Sequence, residues 1–113
     1  MTAAAAADPA ARALDALGNP IRRQIVQLLA AGPCPVGAIA ARLPVTRPAV
    51  SKHLRVLEDA ALVTFDKAGN QNRYRLAPEG FTAARDWLGA FWDDALTRFA
   101  LLAENTAPAE PSR

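Results

Sequence analysis

Residues 46–57, TRPAVSKHLRVL, carry the pattern on which the fold prediction rests. It predicts a helix that begins after Thr46, because a threonine hydroxyl can accept a backbone amide proton there and Pro48 needs no amide donor in the first turn. Four apolar residues at helical spacing predict one buried face: Val50, Leu54, Leu57 and Ala61. We expect this helix to end at about Ala60.

A shorter helix is predicted just upstream, over residues 36–43, with its apolar side chains on one face. Pro44 and Val45 break it, so only a tight turn separates it from Thr46. Two helices joined in this way form the helix-turn-helix pattern. The preceding Pro33-Cys34-Pro35 segment predicts a stiff connector, since proline fixes its backbone angle and lacks an amide donor.

A β-hairpin is predicted directly after these two helices. Residues 62–65 are branched and aromatic, and residues 72–76 alternate polar and bulky side chains, as strands do. The intervening residues 66–71 contain Gly69-Asn70, a turn signal. A hairpin in this position is a wing.

The remaining segments are predicted to be helical. A first helix spans about Pro9–Leu17, and a second begins at Pro20 behind the cap residue Asn19 and ends at Gly32. A long last helix runs from residue 78 to about residue 104. With 113 residues, the chain is expected to form one winged helix-turn-helix domain over residues 9–104, mainly α-helical with a small β-hairpin, between disordered tails at 1–8 and 105–113.

The net charge of +2 is unevenly distributed along the chain. Residues 42–75 carry seven basic and three acidic residues, whereas residues 76–113 carry three basic and six acidic residues. A basic middle segment indicates a localised surface that binds anions.

Apolar residues along the last helix are too numerous for the small core to cover. They recur at intervals of three and four residues: Phe81, Ala84, Leu88, Phe91 or Trp92, Ala95, Phe99 and Leu102. We therefore expect this helix to pack against the same helix of a second copy.

Several segments resemble the ArsR family of winged helix-turn-helix repressors. The resemblance rests on ALGNPIRRQI at 16–25, VGAIA at 36–40, RPAVSKHLRVL at 47–57, ALV at 61–63 and RYRL at 73–76. It covers about residues 14–104. It implies a homodimer built from the first and last helices, a recognition helix and wing that face duplex DNA, and regulation by a small effector.

The recognition helix and wing carry the predicted DNA-binding residues. Arg47 and Lys52 can reach guanine O6 and N7, whereas Arg55 is expected to meet phosphate. The wing cations are expected to contact the phosphate backbone or enter the minor groove. His53, beside the buried face, is expected either to pack or to contact DNA. The predicted DNA-binding set is Thr46, Arg47, Pro48, Ser51, Lys52, His53, Arg55, Lys67, Arg73 and Arg75. The predicted dimer interface is Leu14, Leu17, Phe81, Leu88, Phe91, Trp92, Ala95, Phe99 and Leu102.

Metal sensing, a property of some ArsR proteins, is not expected, and neither a metal nor a cofactor is predicted. Such relatives carry cysteines near the helix-turn-helix, or His, Asp and Glu ligands on the last helix. Here Cys34 and His53 are the single cysteine and histidine, Cys34 is displaced by one residue, and the last helix has no histidine. An enzyme is not expected either, because Ser51 and His53 point in different directions on a helix.

The sequence shows no signal peptide and no apolar run long enough to span a membrane, so a cytoplasmic location is expected. The predicted function is a sequence-specific regulator, a homodimeric repressor acting on an inverted repeat in double-stranded DNA. Autoregulation and an unknown small-molecule effector stay open. Two alternatives are a repressor switched by intersubunit Cys34 oxidation and a winged-helix module that binds only proteins.

Overall fold

The computed structural model describes residues 8–106, which form five helices and three short strands. In chain order they are α1 (Pro9–Ala16), α2 (Pro20–Ala30), β1 (Cys34–Pro35), α3 (Val36–Ala40), α4 (Arg47–Asp59), β2 (Val63–Ala68), β3 (Gln71–Leu76) and α5 (Pro78–Thr106). The predicted fold class is confirmed. Of the predicted tails, residues 1–7 and 107–113 lie outside the described residues. Asp8 caps α1, and α5 extends two residues beyond the expected boundary at 104.

Three helices begin at a side-chain cap followed by proline in the first turn. The carboxylate of Asp8 accepts from the Ala10 amide at 3.1 Å, and the amide oxygen of Asn19 accepts from Arg22 at 3.0 Å. The Thr46 hydroxyl accepts from the Ala49 amide at 3.2 Å. Each cap satisfies an amide that has no partner within its own helix.

The core lies where α2, α3, α4 and the sheet meet. Its largest fully buried side chains are Ile25, Ile39, Val50, Leu54, Leu57, Leu62 and Val63. The predicted buried face of the recognition helix is confirmed at three positions but wrong at Ala61. The helix ends at Asp59, and Ala61 adopts a left-handed φ of 59°. This lets the Leu62 amide donate to the Leu57 carbonyl at 3.0 Å and turns the chain into β2.

The sheet has three strands, in the order β1-β3-β2, where the sequence predicted a two-stranded hairpin. The missed strand is the predicted connector: Cys34 pairs with Tyr74, and Pro35 pairs with Arg73. Because β1 is an edge strand, the missing amide of Pro35 is tolerated. The hairpin strands are also longer than predicted, since only Gly69 and Asn70 form the turn. Gly69 has a φ of 68°, which suits a two-residue turn.

The helix α3 is shorter than predicted and ends at Ala40. The Arg42 amide donates to Ile39 at 3.0 Å and the Leu43 amide to Ala40 at 3.3 Å, which are i→i−3 bonds of a tightening turn. The turn between α3 and α4 is therefore longer than expected.

The helix α5 packs against α1 near its start and then leaves the core, so the molecule measures 71 × 36 × 21 Å. Ala84 is its last buried residue within the described range. Over residues 8–106, α5 included, no helix has the length and hydropathy that a membrane span requires.

Candidate nucleic-acid interface

The helix α4 separates its buried residues from its basic ones. Val50, Leu54 and Leu57 are buried, whereas the predicted contact residues Thr46, Arg47, Pro48, Ser51, Lys52 and Arg55 are all exposed. The Thr46 hydroxyl oxygen accepts the Ala49 amide proton, which leaves its own proton and a second lone pair for a ligand. The face that α4 presents to solvent is thus polar and basic.

The wing places its predicted basic residues on an exposed surface. Lys67 lies opposite Asn72, one step from the end of the hairpin, and Arg73 lies opposite Asp66. The face opposite Arg73 and Arg75 carries Lys67 near the tip and, further from the tip, the half-buried rings of Phe65 and Tyr74, which lie 5.3 Å apart. This aromatic pair supports the strand face opposite the arginines.

A polar cleft of about 440 Å³ lies between the recognition helix and the wing. The helix contributes Arg47 and Ser51, and the wing contributes Lys67. Sequence reasoning missed several residues that line the same cleft: Gly37, Asn70, Gln71 and Asn72. The side-chain amides of Asn70, Gln71 and Asn72 and the Gly69-Asn70 turn signal could be read from the sequence. The third strand, β1, which brings α3 to the wing, was not predicted. The structure therefore joins predicted residues from two elements into one site.

The exposed cations differ in whether they are already paired. Arg75 forms an ion pair with Asp66, with Nε and Oδ2 2.9 Å apart. Within residues 8–106, no carboxylate lies at ion-pair distance from five other cations of the predicted set: Arg47, Lys52, Arg55, Lys67 and Arg73. These five charges are available to a polyanion, whereas a ligand must compete with Asp66 for Arg75.

His53 is half-buried and faces α2, apart from the exposed cations of α4. Its Nδ1 lies 3.4 Å from Nη1 of Arg22. Partial burial, and secondarily the charge of Arg22, lower the pKa of His53 below its ordinary value of 6.5. The structure thus places this predicted DNA-binding residue at the edge of the surface.

A second surface is the apolar face of α5, here defined by the exposed large side chains Trp87, Leu88, Phe91, Trp92, Leu96, Phe99, Leu101 and Leu102. Trp92 is 58% exposed and Phe99 is 69% exposed. The rings of Trp87 and Phe91 stack at 5.5 Å. Three of these residues, Trp87, Leu96 and Leu101, were not in the predicted interface, because they flank the strict three- and four-residue stripe.

The other predicted interface residues lie closer to the core. Leu14, Leu17 and Phe81 are half-buried and pack against it, and Ala95 is half-buried on α5. The predicted interface set is therefore divided into residues that are half-buried within one chain and residues that are exposed to solvent.

Residues 8–106 contain no group of three or more His, Cys, Asp or Glu side chains placed to hold one ion. Cys34 is a free, half-buried thiol that packs against the core.

Residues 17–64 match a family model described as a helix-turn-helix domain. The chain is 49% identical over 94 residues to the HTH-type transcriptional regulator Rv2034 of Mycobacterium tuberculosis, covering 83% of this chain and 88% of that protein. Among solved structures, an ArsR-like transcriptional regulator from Rhodococcus sp. RHA1 is 31% identical with a TM-score of 0.74, covering 88% of this chain and 94% of that one. The chain belongs to the ArsR family of transcriptional regulators.

A further solved structure resembles this ArsR-family regulator over most of its length. It is the homodimeric winged helix-turn-helix DNA-binding domain of a possible ArsR-family regulator from Mycobacterium bovis, 33% identical, with a TM-score of 0.62. The match covers 84% of this chain and 88% of that one. The ArsR-family regulator thus carries a helix-turn-helix DNA-binding domain and is not an enzyme, as the sequence predicted.

Proposed function

We propose that this ArsR-family regulator is a homodimeric repressor that binds an inverted repeat in double-stranded DNA sequence-specifically. The observation that carries the proposal is the cleft in which Arg47 and Ser51 of the recognition helix face Lys67 of the wing. A cleft walled by two cations and polar groups fits a segment of sugar-phosphate backbone.

The two elements divide the work of binding. Lys52 is exposed in the N-terminal half of α4, the part of a recognition helix that meets base edges in the major groove. Arg73 is exposed on the wing and has no ion-pair partner among residues 8–106, which suits a phosphate contact. Base readout by α4 and backbone contact by the wing together give specificity and affinity.

The apolar face of α5 supports the dimer. Within residues 87–96, five large apolar side chains are exposed, and exposed apolar patches of neighbouring side chains mark interaction surfaces. They are Trp87, Leu88, Phe91, Trp92 and Leu96. Pairing of this face with its copy would bury the patch and set two recognition helices on one side of the assembly. A two-fold dimer reads half-sites about one helical turn apart. Repression follows where such a repeat overlaps a promoter, the regulator's own included.

The signal that releases the repressor is proposed not to be a metal ion, since the chain supplies one cysteine and one histidine. Whether a small-molecule effector acts on the regulator stays open. Its binding to DNA is proposed to take place in the bacterial cytoplasm. Nothing in the structure favours the oxidation of Cys34 between subunits, because this thiol packs against its own core. The protein-only module is disfavoured by the unpaired cations on α4 and the wing.

The variant Lys67→Ala tests the cleft directly. Removal of one phosphate contact should weaken binding to every duplex and reduce the slope of log affinity against log salt by about 1 per chain. Arg85→Ala is the matched control, because Arg85 is exposed on α5 beside Asp86 and does not line the cleft. Fluorescence anisotropy with labelled duplex measures both. Equal slopes for Lys67→Ala and the wild type would contradict the proposed cleft.

A further inference from the structure

Arg22 connects three helices through its side chain. Its Nε donates to the carbonyl of Ala16 at 2.6 Å, and its Nη2 donates to the carbonyl of Asp15 at 3.4 Å. Its Nη1 lies 3.4 Å from Nδ1 of His53 on α4. The end of α1, the start of α2 and the recognition helix thus meet at one guanidinium group.

The chemistry of this contact determines which ring nitrogen of His53 carries a proton. A guanidinium group donates hydrogen bonds and accepts none, so Nδ1 must be the acceptor. In a neutral imidazole with an unprotonated Nδ1, the proton is on Nε2. Arg22 therefore selects one tautomer, and Nε2–H becomes the donor that the ring can offer to another molecule.

Burial, together with the neighbouring charge of Arg22, favours the neutral ring of His53. Arg22 on α2 faces His53 directly, and burial and this charge both lower the pKa of His53. The other charged groups near Arg22 are Arg12 and Asp15 on α1 and Asp59 on α4, which line a cleft together with it. Of these, Asp15 is linked to Arg22 through its main-chain carbonyl.

We propose that Arg22 is a positioning residue of the DNA interface, which holds the His53 ring by Nδ1 and leaves Nε2–H to donate to a phosphate oxygen of the duplex. The inference rests on the proposed function and adds a residue that itself need not touch DNA. Since α1 also packs against α5, the same contact links the recognition helix to the helices of the proposed dimer.

The ring can be observed directly, because His53 is the only histidine of the chain. Long-range ¹H–¹⁵N NMR of the full-length protein at pH 7.5 should show a protonated Nε2 and an unprotonated Nδ1. In Arg22→Gln, the tautomer preference should weaken and the pKa of His53 should rise, because a neighbouring positive charge is lost. A ring protonated on Nδ1 in the wild type would contradict the proposal.

The second measurement is duplex affinity by fluorescence anisotropy. Arg22→Gln should weaken binding by about tenfold, the size of one hydrogen bond to a charged group. The double variant with His53→Ala should bind no more weakly than His53→Ala alone, because Arg22 acts through that ring. Arg23→Gln is the control, because it removes the same charge and because Arg23 donates to the carbonyl of Leu17, at 2.8 Å, rather than to His53.

Each outcome has one meaning. If the wild type and Arg22→Gln bind duplex equally well, the positioning role is contradicted and the proposed function is unaffected. A loss in Arg23→Gln as large as in Arg22→Gln also contradicts it, because net charge would then explain both. A wild type that binds no duplex contradicts the proposed function, and with it the DNA role of His53.

Discussion

The backbone amide of Gly80 donates a hydrogen bond of 2.8 Å to the carbonyl of Ala61. This bond fastens the first turn of α5 to the end of the recognition helix. A Cβ at position 80 would collide with the carbonyl oxygen of Ala60 and would lie 2.8 Å from that of Ala61. Since both are backbone atoms that cannot rotate away, the close approach of α5 to the turn that follows α4 requires glycine.

The variant Gly80→Ala should therefore be destabilised by about 1–3 kcal/mol, the usual effect of inserting a methyl group into a packed site. Urea unfolding followed by circular dichroism measures the change. Thr82→Ala, an exposed substitution in the next turn of α5, should stay within about 0.5 kcal/mol of the wild type. A Gly80→Ala protein as stable as the wild type would show that α5 does not approach the turn after α4 this closely.

Phe91→Glu should convert the proposed dimer into a monomer at micromolar concentration, because a carboxylate would be buried without a partner in the paired helices. Analytical ultracentrifugation measures the mass. Thr97→Glu is the matched control: Thr97 is exposed on the side of α5 roughly opposite the apolar face, at about 100° per residue. A wild type that sediments as a monomer would contradict the proposed dimer. A Phe91→Glu protein that remains dimeric would show that the interface lies elsewhere.

Lys52→Ala and Arg73→Ala should lose DNA affinity in different ways. Lys52→Ala should cost about 1–3 kcal/mol on the operator and little on random duplex, since it removes a base contact. Arg73→Ala should weaken both duplexes by a similar factor, since it removes a phosphate contact. Competition anisotropy with the two duplexes measures each ratio. Equal operator-to-random ratios in the two variants would show that the helix and wing do not divide the work in this way.

Acidification should destabilise the fold through His53. The pKa of His53 in the native state is below its ordinary value of 6.5, so the unfolded chain binds more protons between these two values. Stability is therefore highest above pH 6.5 and falls as pH decreases toward the lowered pKa. Urea unfolding at several pH values between 8 and 5 should show this loss in the wild type, and a smaller one in His53→Gln. Parallel pH profiles for the two proteins would show that His53 does not contribute.

Local patterns in the sequence predicted most of the fold. The caps Asn19 and Thr46, the prolines that follow them, and the spacing of Val50, Leu54 and Leu57 are effects of neighbouring residues, which a sequence displays directly. The resemblance of residues 14–104 to the ArsR family agreed with the same arrangement. The exposure of the α4 cations could be predicted, because the buried stripe shows which side of the helix faces the core and therefore which side faces solvent.

Features that depend on distant residues were missed. The pairing of Cys34 with Tyr74 joins residues forty positions apart. The two prolines beside the cysteine predicted a connector and not a strand. Ala61 was placed on the buried face of the recognition helix because its spacing continues the apolar stripe, whereas its left-handed φ of 59° belongs to the turn after the helix. The Arg22–His53 contact and the Arg75–Asp66 ion pair are tertiary arrangements of side chains for which spacing provides no signal.

We propose that this ArsR-family regulator binds duplex DNA as a sequence-specific dimer. Anisotropy titration of labelled duplex from the regulator's own upstream region tests this, with random duplex as the control, across a salt series. We expect two chains per specific duplex, preference over random duplex, and a slope of log affinity against log salt of about −0.9 per phosphate contacted. No binding to either duplex at low salt, or equal affinity for both, would contradict the claim.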